Sequence, residues 1–419
     1  MIGNTIELIG GIVPEMKANV ERKQEEFLPF ALPLISEREI QEVVDTLQSG
    51  WITLGPKTKR FEKHFRNYIG SKHAIAVNSC TAGLHLSLVA AEIGEGCEVI
   101  TTPFTFAATS HVILHVGAKP VFVDVDKNTC NIDVNQIKEV INSKTKAIMP
   151  VHFAGHPCDM NEIMSIAQKY GLFVIEDAAH ALAAKYYDQN IGNIGDMTSF
   201  SFYATKNITT GEGGMVTTNN DDLAEKIRLL SLHGISKDAW KRYSADGNWF
   251  YDVVCPGYKY NMSDIQAALG LWQLEMIDQF QNKRQEYARI YNKAFQDLPE
   301  IEIPYVKDGI EHAWHLYVIR LNLDLLKIDR NDFIKALYAE NIGTSVHFIP
   351  LHLHSFYRKR YGFKYGDFPN SEYLYQRVIS LPLYPKMAIS DVERVIEAVK
   401  KVIKQYRRSN KFRLSNISA

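Results

Sequence analysis

The strongest constraint on this chain is an alternation. Short apolar runs rich in β-branched residues recur at residues 73–77, 98–102, 120–125, 147–152 and 172–176. Stretches with helical spacing lie between them at 84–91, 134–141 and 160–170. Strands alternating with helices imply a largely parallel sheet with both faces covered.

The flanking segments complete the outline. A helical pattern runs through Ile40, Val43, Val44 and Leu47 and stops at Ser49-Gly50. Beyond Lys206, the run GEGGMVTTNN predicts a tight turn, one more strand and a helix starting at Asp221. A long helix then runs from about Ser263 past Gly270 to about Phe295, linking a large domain to a smaller one. The remainder predicts a strand at 314–321, a helix at 332–340, a strand at 343–348 and a final helix at 390–407. The expected organisation is an N-terminal arm (1–30), a large domain (31–270), a small C-terminal α+β domain (271–408) and a loose polar tail (409–419).

Charge and cysteine usage narrow the function. Lys plus Arg total 47 and Asp plus Glu total 48, a net charge of −1. There is no basic field for nucleic acid and no polybasic patch for a membrane surface. No apolar run approaches the roughly 18 residues of a membrane span, and the first residues lack the pattern of a signal peptide. Cys80, Cys97, Cys130, Cys158 and Cys255 are odd in number, scattered and form no CxxC. That pattern predicts reduced thiols in a cytoplasmic protein. The histidines show no HExxH-type spacing, so no metal is expected.

Four local features carry chemistry. In AVNSCTAGLHL (76–86) a strand ends at Val77, a small-residue turn follows, and a helix opens near Thr81 or Ala82. Free N–H groups and the helix dipole there suit an anion, although a simple N-cap accounts for the same residues. In VIEDAAHA (174–181) an apolar strand delivers Asp177, with His180 close behind, to the end where open α/β sheets bind ligands. Asp177 could hold a heterocyclic nitrogen protonated, or cap a helix. Glu176 should face the other way, because strand side chains alternate. In SFSFYATKNITTGEGG (199–214) Lys206 sits among small and aromatic residues, where poor solvation makes an amine nucleophilic. Taken alone it could equally be a surface lysine. Ser201 could donate to a phosphate. In PFTFAATS (103–110) Phe106 follows a strand end and could stack on a planar ring or simply fill the core. Together the four ask for a phosphorylated heterocycle bearing an aldehyde, and pyridoxal phosphate has those groups.

The order NSCTAGL, TPFTFAAT, VIEDAAHA, SFSFYATKNITTGEGG and GYKYNMSDIQAALG resembles the DegT-type nucleotide-sugar aminotransferases, which are fold type I pyridoxal-phosphate enzymes. The resemblance runs from about Pro29 to about Val402 and includes GWITLGPKTKRFE (50–62) and HAWHLYVIR (312–320). It implies a mostly parallel sheet sandwiched by helices and a smaller C-terminal α+β domain. Lys206 matches the Schiff-base lysine, Asp177 the partner of the pyridinium nitrogen, and His180 a position beside the cofactor's ring oxygen. Ser79, Cys80, Thr81 and Ser201 match the phosphate-binding segments, and Phe106 the stacked aromatic. Where many members read GYNYR this chain has GYKYN, so either Lys259 or Asn261 would reach the neighbouring subunit's phosphate in a homodimer with shared sites.

GYKYN, HAWH and the GTSVHF segment around His347 are most similar to the subgroup making UDP-4-amino-4-deoxy-L-arabinose. The implied reaction moves an amine from L-glutamate, which leaves as 2-oxoglutarate, to a UDP- or dTDP-linked 4-keto sugar. Trp51, Tyr203 and His347 are candidate substrate contacts, with His312 and His315 behind them; a structural role accounts for each histidine equally simply. Two other readings stand beside this one. A sugar dehydratase of similar sequence would carry histidine in place of Lys206. A non-catalytic binding module on the same fold would leave Asp177, Ser201 and Lys206 without a purpose.

Overall fold

The computed structural model describes residues 27–235 and 251–408. Most of the expected arm and all of the expected tail lie outside these residues.

The chain enters through helices α1 (Glu37–Ser49) and α2 (Pro56–Ile69) and then builds a large sheet. Its elements are β1 (His73–Val77), α3 (Cys80–Ala90), β2 (Glu98–Thr101), α4 (Ala107–His115), β3 (Lys119–Phe122), α5 (Val134–Val140), β4 (Thr145–Ile148), α6 (Met160–Tyr170) and β5 (Phe173–Asp177). A short hairpin, β6 (Lys185–Tyr186) and β7 (Gln189–Asn190), precedes β8 (Met197–Ser201), β9 (Gly214–Thr218) and α7 (Asp221–Ser231). The sheet order is β1-β9-β8-β5-β4-β2-β3. β9 runs antiparallel to both neighbours, and the other six strands point the same way. Val99, Ile148, Val174, Ile175 and Phe200 are wholly buried, as strands covered on both faces must be.

Sequence and structure part at three places. The segment expected as one helix is two, α8 (Asp264–Glu275) and α9 (Ile277–Phe295), meeting at Met276. No Gly or Pro marks that break, so nothing in the local pattern announces it. The expected strand at 343–348 does not form. That stretch makes one isolated bridge, Ser345 to Ser380, and Ile342 just before it pairs instead with Leu28. In α1 the apolar pattern gave the helix but not its buried side: Ile40 and Leu47 are 49% and 55% exposed, while Glu39 and Thr46 are buried. Glu39 accepts from Gln273 Nε2 of α8 at 2.6 Å and closes a capping box on Ser36.

The second core sits on a three-stranded antiparallel sheet of β10 (Ile301–Glu302), β12 (Tyr317–Leu321) and β13 (Val378–Leu381). β11 (Ile310–Glu311) instead pairs with β6. Helices α9, α10 (Arg330–Ala339) and α13 (Ile389–Tyr406) bury Tyr291, Phe295, Phe333, Val395 and Val399 against it. Helices α11 (Ser355–Tyr361) and α12 (Pro369–Tyr375) complete the chain order.

One buried carboxylate holds α2 to α8. α2 starts at Gly55, which has no side chain to cap it. Asp264, wholly buried at the start of α8, takes that role and accepts from Gly55 N, Lys57 N, Thr58 N and Thr58 Oγ1 at 2.6–3.0 Å. Replacing it would strand four donors in the interior. Asp264→Ala is expected to cost about 3 kcal/mol of stability, seen as a lower thermal midpoint than wild type at equal protein concentration. An unchanged midpoint would show that water replaces the cap.

Candidate active site

Because β1, β2, β5 and β8 run parallel, their C-terminal ends open on one edge of the sheet. Each delivers one of the four motifs there. β1 ends at Val77, and Ser79 caps α3 by accepting from Ala82 N at 3.1 Å. That helix begins at Cys80, one residue earlier than expected. β9 brings Gly214 opposite both Val77 and Ser201. A Cβ at Gly214 would fall 2.5 Å from the Ser79 carbonyl carbon, so only glycine lets these chains close. The α3 N-terminus and Ser201 thus lie around one point, with unpaired N–H groups and a hydroxyl suited to an anion.

β5 delivers Asp177. Its carboxylate is buried and accepts from Thr109 Oγ1 at 2.7 Å and Ala179 N at 3.1 Å. Thr109 accepts in turn from Thr105 at 2.8 Å, since its own proton is spent on Asp177. Burial pushes the Asp177 carboxyl up, while Thr109, Ala179 N and the Lys206 charge oppose that rise. Glu176 points to the other face, where it is held by His152, Gly195 N and Thr198.

After β8 the chain turns through residues 203–206, with Lys206 N donating to Tyr203 O at 2.9 Å. Burial lowers the Lys206 amine to about 8, against the upward pull of Cys80 and Asp177. An amine in that range is substantially neutral near pH 8 and can act as a nucleophile.

These residues meet in a cavity of about 460 Å³. It is lined by Ser79, Cys80, Thr81, Phe106, Asp177, His180, Ser201, Tyr203, Lys206 and His347. Phe106, 62% exposed, is not a core residue and leaves its ring face free. Three predicted residues lie elsewhere. Trp51 is an exposed surface residue, Lys259 Nζ contacts Asn261 Oδ1 at 2.5 Å, and Asn261 lines a separate cavity beside Arg228. Of the histidines, His315 joins His347 on the cavity wall, whereas His312 faces away and accepts from Trp314 N at 2.7 Å. Thr105, Thr109, Asn207, Phe30 and Phe348 had no local signal as site residues. Thr105 precedes the helix Ala107–His115 that carries Thr109, so no helical spacing announced the contact between their hydroxyls.

A family model for the DegT/DnrJ/EryC1/StrS aminotransferases matches residues 33–400. The chain belongs to this family. It is 62% identical to the uncharacterised protein MJ1066 of Methanocaldococcus jannaschii over 384 residues, covering 92% of this chain and 100% of that one. It is 55% identical to the spore coat polysaccharide biosynthesis protein SpsC of Bacillus subtilis over 384 residues, covering 91% and 99%. Among solved structures, the sugar aminotransferase Spr1654 of Streptococcus pneumoniae in its PMP form aligns with TM-score 0.85 and 37% identity over 90% of this chain and 99% of that one. The same protein is known in a PLP form. The fold is therefore fold type I, and this member of the family is a pyridoxal-phosphate-dependent sugar aminotransferase.

The residues present fit the cofactor. A helix N-terminus and Ser201 suit the phosphate, a buried carboxylate without an arginine partner suits a ring cation, and a buried amine suits the aldehyde. The amine sets a pH dependence. Only neutral Lys206 can attack the aldehyde, and its neutral fraction grows as pH rises through its pKa. The rate at which apoprotein takes up pyridoxal phosphate into its coloured form should climb with pH, with a midpoint of about 8, and then level off. A climb continuing toward 10.5, the value for an ordinary lysine, would contradict the burial argument.

Proposed function

We propose that this aminotransferase takes the amine of L-glutamate and delivers it to C4 of a nucleotide-linked 4-keto sugar, UDP- or dTDP-linked. The product is an amino sugar for glycan, lipid or natural-product synthesis. The observation that carries this reading is the burial of the Lys206 amine and the Asp177 carboxylate on one cavity whose rim includes the α3 N-terminus. The spore coat polysaccharide role of SpsC supports a glycan product. GYKYN, HAWH and GTSVHF favour the subgroup that makes UDP-4-amino-4-deoxy-L-arabinose, and His315 and His347 of the latter two segments both line the cavity.

Each residue has a role in this reading. Pyridoxal phosphate, when bound, supplies an electron sink for the carbon that loses its proton. Lys206 anchors the cofactor and, once displaced by the amino donor, carries the proton to and from the reacting carbon. Asp177, steadied by Thr109, holds positive charge at the ring nitrogen. Ser79, Cys80 and Thr81 at the α3 N-terminus and Ser201 would hold the phosphate, His180 would serve the ring oxygen, and Phe106 would cover the ring face. Tyr203 and His347 would contact the sugar nucleotide, and Trp51, which lies outside this cavity, would reach only a neighbouring subunit's substrate.

We further propose a homodimer with shared sites. Lys206 is the one Lys or Arg among the described residues lining the cavity, yet the proposed ligands carry phosphates and carboxylates. Either Lys259 or Asn261 would serve the neighbouring subunit's phosphate. Trp51, Ile52, Val253 and Val254 are each at least 45% exposed and would be covered. Light scattering should give the mass of two chains; a monomer with full activity would refute the shared site.

The direct test is a visible spectrum of the reconstituted protein before and after L-glutamate. A yellow band that glutamate bleaches is expected, followed by recovery on adding the right UDP- or dTDP-4-keto sugar. Lys206→Ala should abolish turnover while cofactor still binds through its phosphate. Ordinary activity in that variant would sink the assignment, and absence of any band in wild type would favour a non-catalytic module.

A further inference from the structure

The residue after the lysine is as constrained as the lysine itself. Asn207 is buried, and its Nδ2 donates to Ala313 O at 2.9 Å and Leu182 O at 3.3 Å. A flipped amide would set its oxygen against two carbonyl oxygens, so the orientation is fixed. Its Oδ1 can then only accept, and its partner is His315 Nδ1 at 3.1 Å. His315 Nδ1 must carry the proton.

A second proton on that ring is opposed from several sides. Burial, His180, Lys206, Arg284 and His347 all hold the His315 imidazole well below its ordinary range. Arg284 is itself buried and pinned by the carbonyls of Trp314, His315 and Leu383 at 2.8–3.3 Å. With Nδ1 protonated and the ring neutral, Nε2 of His315 keeps its lone pair.

His180 has the opposite constraint. Its ring centroid lies 4.3 Å from that of His315, and its plane is within 16° of Phe348 at 5.9 Å. Its Nδ1 is buried with no hydrogen-bond partner among the described residues. Burial, Lys206 and His347 keep this ring neutral as well. A buried N–H without an acceptor costs more than a bare nitrogen in the same place, so the proton belongs on Nε2.

We propose that Asn207 and His315 are a positioning pair that presents the Lys206 cavity with two adjacent imidazoles in opposite tautomers, His180 donating through Nε2 and His315 accepting through Nε2. The donor suits an anionic oxygen. The acceptor suits a hydroxyl or amine proton of the incoming substrate. Asn207 also ties the Lys206 turn to the segment entering the second core, so the two halves of the site keep one register. This rests on the aminotransferase reading for its kinetic consequence but not for its tautomer assignment.

The test uses full-length apoprotein labelled with ¹⁵N-histidine. A ring with protonated Nδ1 and bare Nε2, unchanged from pH 6 to pH 8, should vanish in His315→Phe, while His156, whose Nε2 accepts from Lys307 N and whose Nδ1 donates to Pro157 O, keeps its own signals of that tautomer. A protonated Nε2 or a charged ring at His315 overturns the proposal. In single turnovers with the reconstituted protein, Asn207→Ala and His315→Phe should bleach with L-glutamate at least about tenfold more slowly while cofactor affinity stays within about twofold. His315→Phe keeps an aromatic ring beside His180 and the bonds from Asn207 to Leu182 and Ala313, so it decides the matter where Asn207→Ala does not fold. Rates within twofold of wild type in His315→Phe overturn the positioning role. If wild type itself is not bleached by L-glutamate, the donor assignment fails, and the ring-nitrogen signals still judge the tautomers.

Discussion

A carboxylate buried at the end of a central strand governs this site. Removing such a group from water costs several kcal/mol unless hydrogen bonds and a counter-charge replace the lost hydration. Asp177 accepts from Thr109 Oγ1 and Ala179 N, with the Cys80 thiol a longer third contact at 4.0 Å, and feels the charge of Lys206. Those interactions only partly offset its burial, and the carboxyl remains pushed up. A cationic ring nitrogen would complete the balance. The lysine shows the mirror image: burial makes its amine neutral enough to react, and Asp177 limits that drop. Each group therefore tunes the other, and both depend on β5 and β8 being adjacent and parallel, with Asp177 opposite Ser199.

The architecture supplies the rigidity that this mutual tuning needs. The loop carrying Lys206 is irregular, so its polar groups must be satisfied by neighbours. Thr209 N donates to Gln273 of α8 at 3.2 Å, Thr209 Oγ1 donates to Phe202 O at 3.1 Å, and Asn207 reaches across to Ala313 O. α9 holds the opposite wall, with Gln281 donating to His312 O and Arg284 to the carbonyls that follow. The two helices that replace the single expected one thus serve different partners. α8 braces the lysine loop and α9 the histidine segment, and the bend at Met276 aims them apart.

This division explains what the sequence disclosed. Strand–helix alternation and the four motifs act locally, within a strand and the turn after it, so Ser79, Asp177, Ser201 and Lys206 could be read from spacing. Thr109 is 68 residues from Asp177, Asn207 is 108 from His315, and Asp264 is 206 from Thr58. Pairings at that range leave no period to find. The buried side of α1 was hidden for a related reason. Its inward residue, Glu39, is polar because it answers Gln273, while Ile40 and Leu47 stay outside. The segment at 343–348 has strand-like composition, but it bridges only Ser380 through Ser345, while Ile342 before it bridges Leu28, a different neighbour, and no continuous ladder forms.

Charge gives the last constraint. The cavity wall holds the carboxylates of Asp177 and Glu212 and the single amine of Lys206 among its described residues, together with imidazoles that burial keeps neutral. A pocket so poor in cations binds a phosphorylated ring by backbone N–H groups and hydroxyls, which is what the α3 N-terminus and Ser201 offer. It has little left for a nucleotide diphosphate or for the second carboxylate of an amino donor. Paying for those charges within one chain would require cations close to Lys206, and their field would lower its proton affinity further and weaken the pairing with Asp177. In the proposed homodimer a second subunit would supply them, through residues such as Lys259, and would keep that positive charge at the rim of the cavity. The same separation would account for neutral imidazoles, rather than arginines, lining the wall beside the lysine.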